Sequence, residues 1–266
     1  MQKENHLDLM IDLALKAGKA IDEIYEKGCE SDEKGDGSPV TIADKRGEEI
    51  IEAGLRKGAP DIPILAEEAA SEGNIPELGN RFFLVDPLDG TREFLSRNGE
   101  FTVNIALIDH GRPVAGVVYA PAIAKLYYGA RGEGAFFQSI VPGQSRNEAE
   151  HPHEIEARAP FHKGLVAVAS RSHRSPETEA LLDKIGVADF TPAGSSLKFC
   201  LLAQGSADVY PRLGRTMEWD TGAGQAVLEA AGGRVMALDG ETETGPLGYN
   251  KKERGFDNPH FIAWGR

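Results

Sequence analysis

The sequence has 266 residues, of which 41% are hydrophobic, and its formal net charge is −13 at pH 7. This length is sufficient for a substantial core, in one domain or in two closely packed lobes. The acidic balance argues against a non-specific nucleic-acid surface, which needs a basic face. We therefore expect no nucleic-acid polymer as a partner.

The cysteine content and the hydrophobic pattern favour a cytoplasmic protein. Cys29 and Cys200 are the only cysteines, too few for a disulfide framework and without the C-x-x-C spacing of zinc or redox sites. No apolar stretch approaches the ~20 residues that a membrane span requires, and the N-terminus lacks the pattern of a signal peptide. We expect no transmembrane segment and leave peripheral membrane association open.

The first segments combine a helix with an acidic stretch. Apolar residues recur at helical spacing between 7 and 24 and predict a helix that ends near Gly28. The stretch 31–37 resembles a calcium loop, but Lys34 and Ala43 stand where such a loop needs oxygen ligands. We therefore expect a flexible, solvated loop.

Two further acidic positions follow this stretch. Asp44 precedes a second apolar-periodic segment, which makes it the expected N-cap of a helix. A short strand at 62–66 then ends at Glu67 and Glu68. Because neighbouring residues of an extended chain face opposite ways, we expect only Glu67 to enter a site.

The rest of the chain changes from an antiparallel to an α/β pattern. Strand-like runs joined by short turns predict a meander at 101–109, 113–119, 125–128 and 135–137. Beyond a polar segment, short strands alternate with helical stretches at 165–169, 188–191, 208–210 and 233–236. The predicted fold is α/β with an α+β first half, divided into an N-terminal lobe (1–145) that carries the antiparallel sheet and most site acids, and a C-terminal α/β lobe (146–266).

The most informative stretch is FFLVDPLDGT at 82–91. Its apolar start predicts a buried strand, so Asp86 should lie where that strand ends. Pro87 stiffens the turn, which can hold Asp86 and Asp89 on one side of a tight loop with the Leu88 carbonyl between them. Three such oxygen donors suit Mg²⁺, although D-x-x-D alone would also fit an aspartate-rich turn.

These motifs together resemble the inositol monophosphatase superfamily of Mg²⁺-dependent, lithium-sensitive phosphatases. The combination of D-P-L-D-G-T with a later W-D-x-x-A-G is highly specific. The resemblance implies a layered α-β-α-β-α fold with an antiparallel sheet in the first half and a mixed sheet in the second. The matching stretches are 38–44, 65–68, 85–94, 194–203, 219–224, 249–251 and 258–259.

By position, the resemblance implies two metal sites that share Asp86. Glu67, Asp86 and the Leu88 carbonyl would bind one ion, and Asp86, Asp89 and Asp220 would bind another, with about two or three Mg²⁺ ions per active site. Gathering these acids without cations would leave a strongly repulsive cluster.

The resemblance also implies catalytic roles. Gly90 and Thr91, at the start of a predicted helix, would receive the scissile phosphate. Thr91 and Asp44 would orient and deprotonate the attacking water. Glu67 would be a catalytic residue as well as a metal ligand. A phosphorylated Asp86 is the alternative, but a carboxylate that holds two metals is a poor nucleophile.

Variable positions within the motifs indicate the substrate. The segments TREF at 91–94, GSSLK at 194–198 and YPR at 210–212 resemble the 3′(2′),5′-bisphosphate nucleotidases of the CysQ type. Simple inositol phosphatases commonly have T-N-F and G-S-A-A-L in the first two. The implied small-molecule phosphate ester is adenosine 3′,5′-bisphosphate, cleaved to AMP and phosphate.

A second phosphate needs cations away from the metals, and Lys198 and Arg212 can supply them. Each could equally be a solvated surface charge. Ser195 and Asp220 are the other expected substrate contacts in the second half. His173 would hydrogen-bond the nucleoside, or is an ordinary histidine at a strand end.

Two positions depart from the family pattern and leave alternatives open. Gly222 replaces a usual alanine and Gln225 a frequent histidine, and we expect both to alter the fit of the nucleoside. An inositol monophosphatase or sugar phosphate phosphatase is the alternative within the same class. A catalytically silent metal- or nucleotide-binding protein is the alternative from another class, and a homodimer is left open.

Overall fold

The computed structural model describes residues 6–35, 37, 39–160, 164–169 and 175–266. The helices are α1 (Leu7–Lys27), α2 (Ile42–Gly58), α3 (Glu67–Ser71), α4 (Thr91–Leu95), α5 (Pro176–Lys184), α6 (Leu197–Ala203) and α7 (Gly222–Ala230). The strands are β1 (Ser31–Glu33), β2 (Pro39–Thr41), β3 (Ile64–Ala66), β4 (Arg81–Asp89), β5 (Thr102–Asp109), β6 (Arg112–Ala120), β7 (Lys125–Ala130), β8 (Gly134–Ser139), β9 (His153–Ile155), β10 (Leu165–Ala169), β11 (Val187–Pro192), β12 (Val209–Arg212), β13 (Arg234–Asp239), β14 (Thr242–Pro246) and β15 (Phe261–Trp264).

Two large sheets organise the described residues. The first has seven strands in the order β3-β4-β5-β6-β7-β8-β9 and is antiparallel except for the β3/β4 pair. The second has six strands in the order β11-β10-β12-β15-β13-β14 and is mixed, because β10 runs parallel to both of its neighbours. The predicted antiparallel meander and mixed second sheet are therefore confirmed.

Helices cover both sheets and separate them. Helices α1 and α2 pack on the outer face of the first sheet, α6 and α7 lie between the sheets, and α5 packs on the second sheet. Strand β6 approaches α7 so closely that a Cβ on Gly116 would lie 2.4 Å from the Ala223 carbonyl oxygen. This contact places the start of α7 near the end of β4, where the motif acids lie.

Local differences from the sequence prediction are confined to short elements. Helix α1 ends before Gly28, as predicted. The stretch 31–37, expected to be a loop, contains β1, which pairs with β2 as an antiparallel hairpin. The division into lobes at residue 145 stays a prediction, and β9 beyond it still belongs to the first sheet.

No helix in the described part of the chain is both long enough and apolar enough to cross a membrane.

Candidate active site

The D-P-L-D-G-T turn lies at the end of β4, next to the start of α6. Strand β4 continues irregularly through the motif to Asp89 instead of ending at Asp86, and α4 begins at Thr91. Gly90 has a φ of +91°, and a Cβ there would lie 2.1 Å from Ser195 Oγ. Because both the backbone conformation and the space require glycine, the turn can close tightly against Ser195.

Three carboxyl groups converge on that of Asp86, which is only 1% exposed. Burial raises the pKa of Asp86 well above its ordinary value, and the charges of Glu67, Asp89 and Asp220 raise it further. A hydrogen bond between the Asp86 and Glu67 carboxyls acts in the same direction. Burial also raises the pKa of Asp220 to about 8, with Asp89 and Glu67 as the next causes. The structure thus brings together the acids that come from three distant segments.

This set of donors fits a hard divalent cation. Oxygen ligands without sulfur or imidazole suit Mg²⁺, and positive charge would relieve the repulsion that raises these pKa values. Among the described residues, no three Asp, Glu, His or Cys side chains already lie close enough together to hold a metal ion. Glu67 is instead engaged by Lys34, although its carboxyl also hydrogen-bonds to that of Asp86.

Lys34 is a site residue that sequence reasoning missed. Its Nζ lies 2.7 Å from Glu67 Oε1 and 2.7 Å from Glu68 Oε1. Burial opposes the charge of Lys34, but the two carboxylates outweigh it and raise the pKa of the ammonium group. Only Glu67 is also among the acids that raise the pKa of Asp86, so the expectation that Glu67 enters the site stays a prediction, but the extended-strand reasoning behind it is wrong. Glu67 and Glu68 begin helix α3 and are not in an extended strand, so both reach the ammonium group of Lys34.

Asp44 and Thr91 form a hydrogen-bonded pair beside this cluster. Thr91 Oγ1 donates to Asp44 Oδ1 at 3.1 Å, and Asp44 Oδ2 accepts from the backbone N–H and the hydroxyl of Thr41 at 2.7 Å each. The N-cap of α2 is Thr41, not Asp44, which is the third residue of a capping box. Burial raises the pKa of Asp44, against the opposing hydrogen bonds from Thr41.

Three of the expected substrate contacts, Ser195, Lys198 and Arg212, line a cavity of about 540 Å³. Asp89, Gly90 and Asp220 line the same cavity. Lys198 is buried, donates to the Ser195 carbonyl at 3.0 Å and lies 5.6 Å from the centre of the Tyr210 ring. Arg212 lines the same cavity, and its buried Nε has no hydrogen-bond partner in the described part of the chain.

His173, the expected nucleoside contact, lies outside the described residues.

The two departures from the family pattern serve the fold. Gln225 is buried, donates to the Leu247 carbonyl at 3.1 Å and accepts from Tyr249 Oη at 2.8 Å. A Cβ on Gly222 would lie 2.9 Å from Leu84 Cδ2. Both contacts are internal, and neither residue lines the cavity that contains Lys198.

The chain matches the sequence profile of the inositol monophosphatase family over residues 2–260. The protein belongs to this family. The 3′(2′),5′-bisphosphate nucleotidase CysQ of Escherichia coli strain CFT073 is 45% identical over 257 residues, which are 96% of this chain and 98% of the relative.

Solved structures of family members share the fold. The crystal structure of CysQ from Bacteroides thetaiotaomicron, a bacterial member of the inositol monophosphatase family, superposes with a TM-score of 0.79 at 41% identity and covers 98% of this chain and 97% of that one. The inositol monophosphatase of Anabaena superposes with a TM-score of 0.72 at 26% identity, covering 97% and 89%. The resemblance and the layered fold that it implied are confirmed.

The raised pKa values at this family's acidic site predict a pH-dependent stability. Because the pKa of Asp220 is about 8 in the folded protein, above its ordinary value, its contribution is fully present below the ordinary pKa and is lost as the pH rises through about 8. Burial raises the pKa values of Glu48 and Glu68 to about 7, with the same sign. In a chelator, we expect the melting temperature to fall as the pH rises from about 4 to about 8, the interval between the ordinary and the folded-state pKa values.

Mg²⁺ should act in the opposite direction. Binding displaces a proton from Asp220, so the rise in melting temperature that Mg²⁺ produces should grow over the same pH range. Thermal scans at several pH values, with Mg²⁺ and with chelator, measure both trends. Asp220→Asn is the control that should reduce both slopes, and a pH-independent effect of Mg²⁺ on the parent protein would contradict the prediction.

Proposed function

We propose that the protein is a Mg²⁺-dependent 3′(2′),5′-bisphosphate nucleotidase that converts adenosine 3′,5′-bisphosphate to AMP and phosphate. The observation that carries this proposal is the cavity in which Lys198 and Arg212 lie beside Asp89 and Asp220. The aspartates can face a metal-bound phosphate, and the two cations in the same cavity can bind a second phosphate. The E. coli relative at 45% identity is a 3′(2′),5′-bisphosphate nucleotidase, which supports the same substrate class.

We propose that Glu67, Asp86, the Leu88 carbonyl, Asp89 and Asp220 hold the metal ions. When bound, Mg²⁺ would supply positive charge to the phosphate and lower the pKa of a bound water. The positive charge of the ions would offset the mutual repulsion of these four carboxylates, which come from three separate segments.

The chain's own residues would position the nucleophile and move its proton. Gly90, with its φ of +91°, would receive the phosphate at the start of α4, in the turn that closes against Ser195. Thr91 Oγ1 already donates to Asp44 Oδ1 at 3.1 Å. An attacking water could therefore pass its proton to Thr91 while Thr91 passes its own proton to Asp44. Burial raises the pKa of Asp44 and makes this carboxylate a stronger base.

The alternatives are weaker on specific observations. An inositol or sugar monophosphate has no second phosphate to offer to Lys198 or to the buried Nε of Arg212, which has no hydrogen-bond partner among the described residues. A catalytically silent protein would have no use for the hydrogen bond between Thr91 and Asp44, which lies beside the metal-ligand acids.

Lys198→Met tests the assignment of substrate. Methionine keeps the buried volume but removes the charge, so activity on adenosine 3′,5′-bisphosphate should fall by ~10- to 150-fold, the value of one charge-assisted contact. Activity on adenosine 3′-monophosphate should change little, because that substrate has no second phosphate. Phosphate release measured as kcat/KM on both substrates gives the comparison.

Lys57→Met, at an exposed position on α2, is the matched control. Equal losses on both substrates would place Lys198 in the common machinery. A parent enzyme that prefers inositol 1-phosphate would overturn the nucleotidase assignment.

A further inference from the structure

Two aspartates of the proposed second metal site each have one oxygen held by the protein. Asp89 Oδ2 accepts hydrogen bonds from Asn104 Nδ2 at 3.3 Å and from Thr102 Oγ1 at 3.4 Å. Asp220 Oδ2 accepts from the Met217 backbone N–H at 2.9 Å. The Asp89 carboxyl is also hydrogen-bonded by Ser196. In both aspartates Oδ1 accepts none of the bonds from Asn104, Thr102 and Met217, so Oδ1 is the oxygen that these bonds leave to meet a cation.

Asn104 links the two aspartates. It is 1% exposed, pairs with Asp86 in the β4/β5 ladder, and also donates from Nδ2 to Ser196 Oγ at 3.0 Å. Ser196 Oγ in turn donates to the backbone carbonyl of Asp220 at 2.9 Å. A single hydrogen-bonded path therefore runs from Asp89 through Asn104 and Ser196 to Asp220, and it joins β5 of the first sheet to the start of α6.

The direction of these bonds fixes the orientation of the Asn104 amide. Because Ser196 donates to the Asp220 carbonyl, its hydroxyl oxygen accepts from Asn104, and Asp89 as a carboxylate also requires a donor. Asn104 Nδ2 donates both of these hydrogen bonds. The buried Oδ1 of Asn104 is left without a hydrogen-bond partner among the described residues. An unpaired buried acceptor is costly, so an arrangement that tolerates one indicates a constraint from function.

We propose that Asn104 is a positioning residue that keeps Asp89 a one-oxygen ligand and so favours Mg²⁺ over Ca²⁺ at the second metal position. Mg²⁺ requires near-ideal octahedral geometry with short bonds, which single carboxylate oxygens satisfy. Ca²⁺ accepts more oxygens at longer distances and commonly binds both oxygens of one carboxylate. Holding Oδ2 away removes that option. This inference rests on the proposed function, because it presupposes that the acids bind a metal.

Asn104→Leu tests the inference with little change of shape, because leucine has the same branching and no donor. The full chain, stripped of metal, is titrated with Mg²⁺ and separately with Ca²⁺ by calorimetry, with Trp219 fluorescence as a second signal. We expect the preference for Mg²⁺ over Ca²⁺, as a ratio of dissociation constants, to fall by ~10-fold, the value of about one hydrogen bond to a charged group. A merely structural role would weaken both ions alike.

Thr102→Val is the second variant, because it removes the other donor to Asp89 Oδ2 and keeps the shape of the side chain. It should shift the ratio in the same direction by a smaller factor, and Asn74→Ala at an exposed position should leave it unchanged. A ratio equal to that of the parent in both Asn104→Leu and Thr102→Val would overturn the inference. Failure of the parent to bind Mg²⁺ at all would instead overturn the proposed function.

Discussion

Replacing Asp86 by asparagine is expected to lower kcat/KM on adenosine 3′,5′-bisphosphate by ~10³-fold or more at high Mg²⁺. The change preserves shape but removes the one charge that both proposed metal positions share, and the stabilisation that a bound metal supplies amounts to several kcal/mol. Asp220→Asn should act in the same direction. Phosphate release at increasing Mg²⁺ concentrations measures the loss.

The stability of Asp86→Asn separates this effect from misfolding. Because burial and three neighbouring acids raise the pKa of Asp86, a neutral amide should be tolerated in the metal-free protein. We expect a melting temperature in chelator at or above that of the parent, together with loss of most of the stabilisation by Mg²⁺. Asp61→Asn, at an exposed position before β3, is the matched control. Full activity in excess chelator, or an Asp86→Asn enzyme within a few-fold of the parent, would contradict the two-metal proposal.

The acids of the central motif could be predicted from local sequence because their geometry is local. Asp86 and Asp89 are three residues apart in a stiff turn after an apolar strand, so their proximity follows from the chain itself. Glu67 and Asp220 come from distant segments. The strand before Glu67 marked it as a candidate, but its link to Asp86 and the role of Asp220 came only from the family resemblance. Their convergence depends on packing between sheet and helix, such as the close approach of α7 to Gly116, that no local pattern encodes.

Other parts of the site gave a misleading signal or none. The charged, glycine-containing stretch around Lys34 is typical of a solvated loop, yet a short hairpin brings its ammonium to Glu67 and Glu68. Asn104 has apolar residues on both sides in a strand that is mostly apolar, so its pattern indicates core. The expectation that Gln225 alters the fit of the nucleoside stays a prediction, although Gln225 does not line the cavity that contains Lys198. A polar residue on a helix can satisfy internal hydrogen bonds that become visible only when β14 and the segment after it are in place.

Thr91→Ala is expected to lower kcat by ~10²-fold or more while changing the Mg²⁺ dependence far less, because positioned proton transfer contributes on this scale. In the proposed mechanism the Thr91 hydroxyl links the attacking water to Asp44, because Thr91 Oγ1 donates to Asp44 Oδ1 at 3.1 Å. Alanine removes this connection but none of the proposed metal ligands. Single-turnover phosphate release at saturating substrate and Mg²⁺ measures the chemical step.

Asp44→Asn should reproduce the loss for a distinct reason. The backbone N–H and the hydroxyl of Thr41 both donate to residue 44 and so need an acceptor at that position. The asparagine would therefore keep its oxygen towards Thr41 and turn its NH₂ group towards Thr91. The Thr91 hydroxyl would then accept instead of donate, and the path for the proton would be lost although α2 keeps its cap. Thr242→Ala, on the exposed strand β14, is the control for loss of a threonine hydroxyl. If both site variants regained full turnover at raised Mg²⁺, Thr91 and Asp44 would be ligating or structural residues, and the assignment of proton transfer to this pair would be wrong.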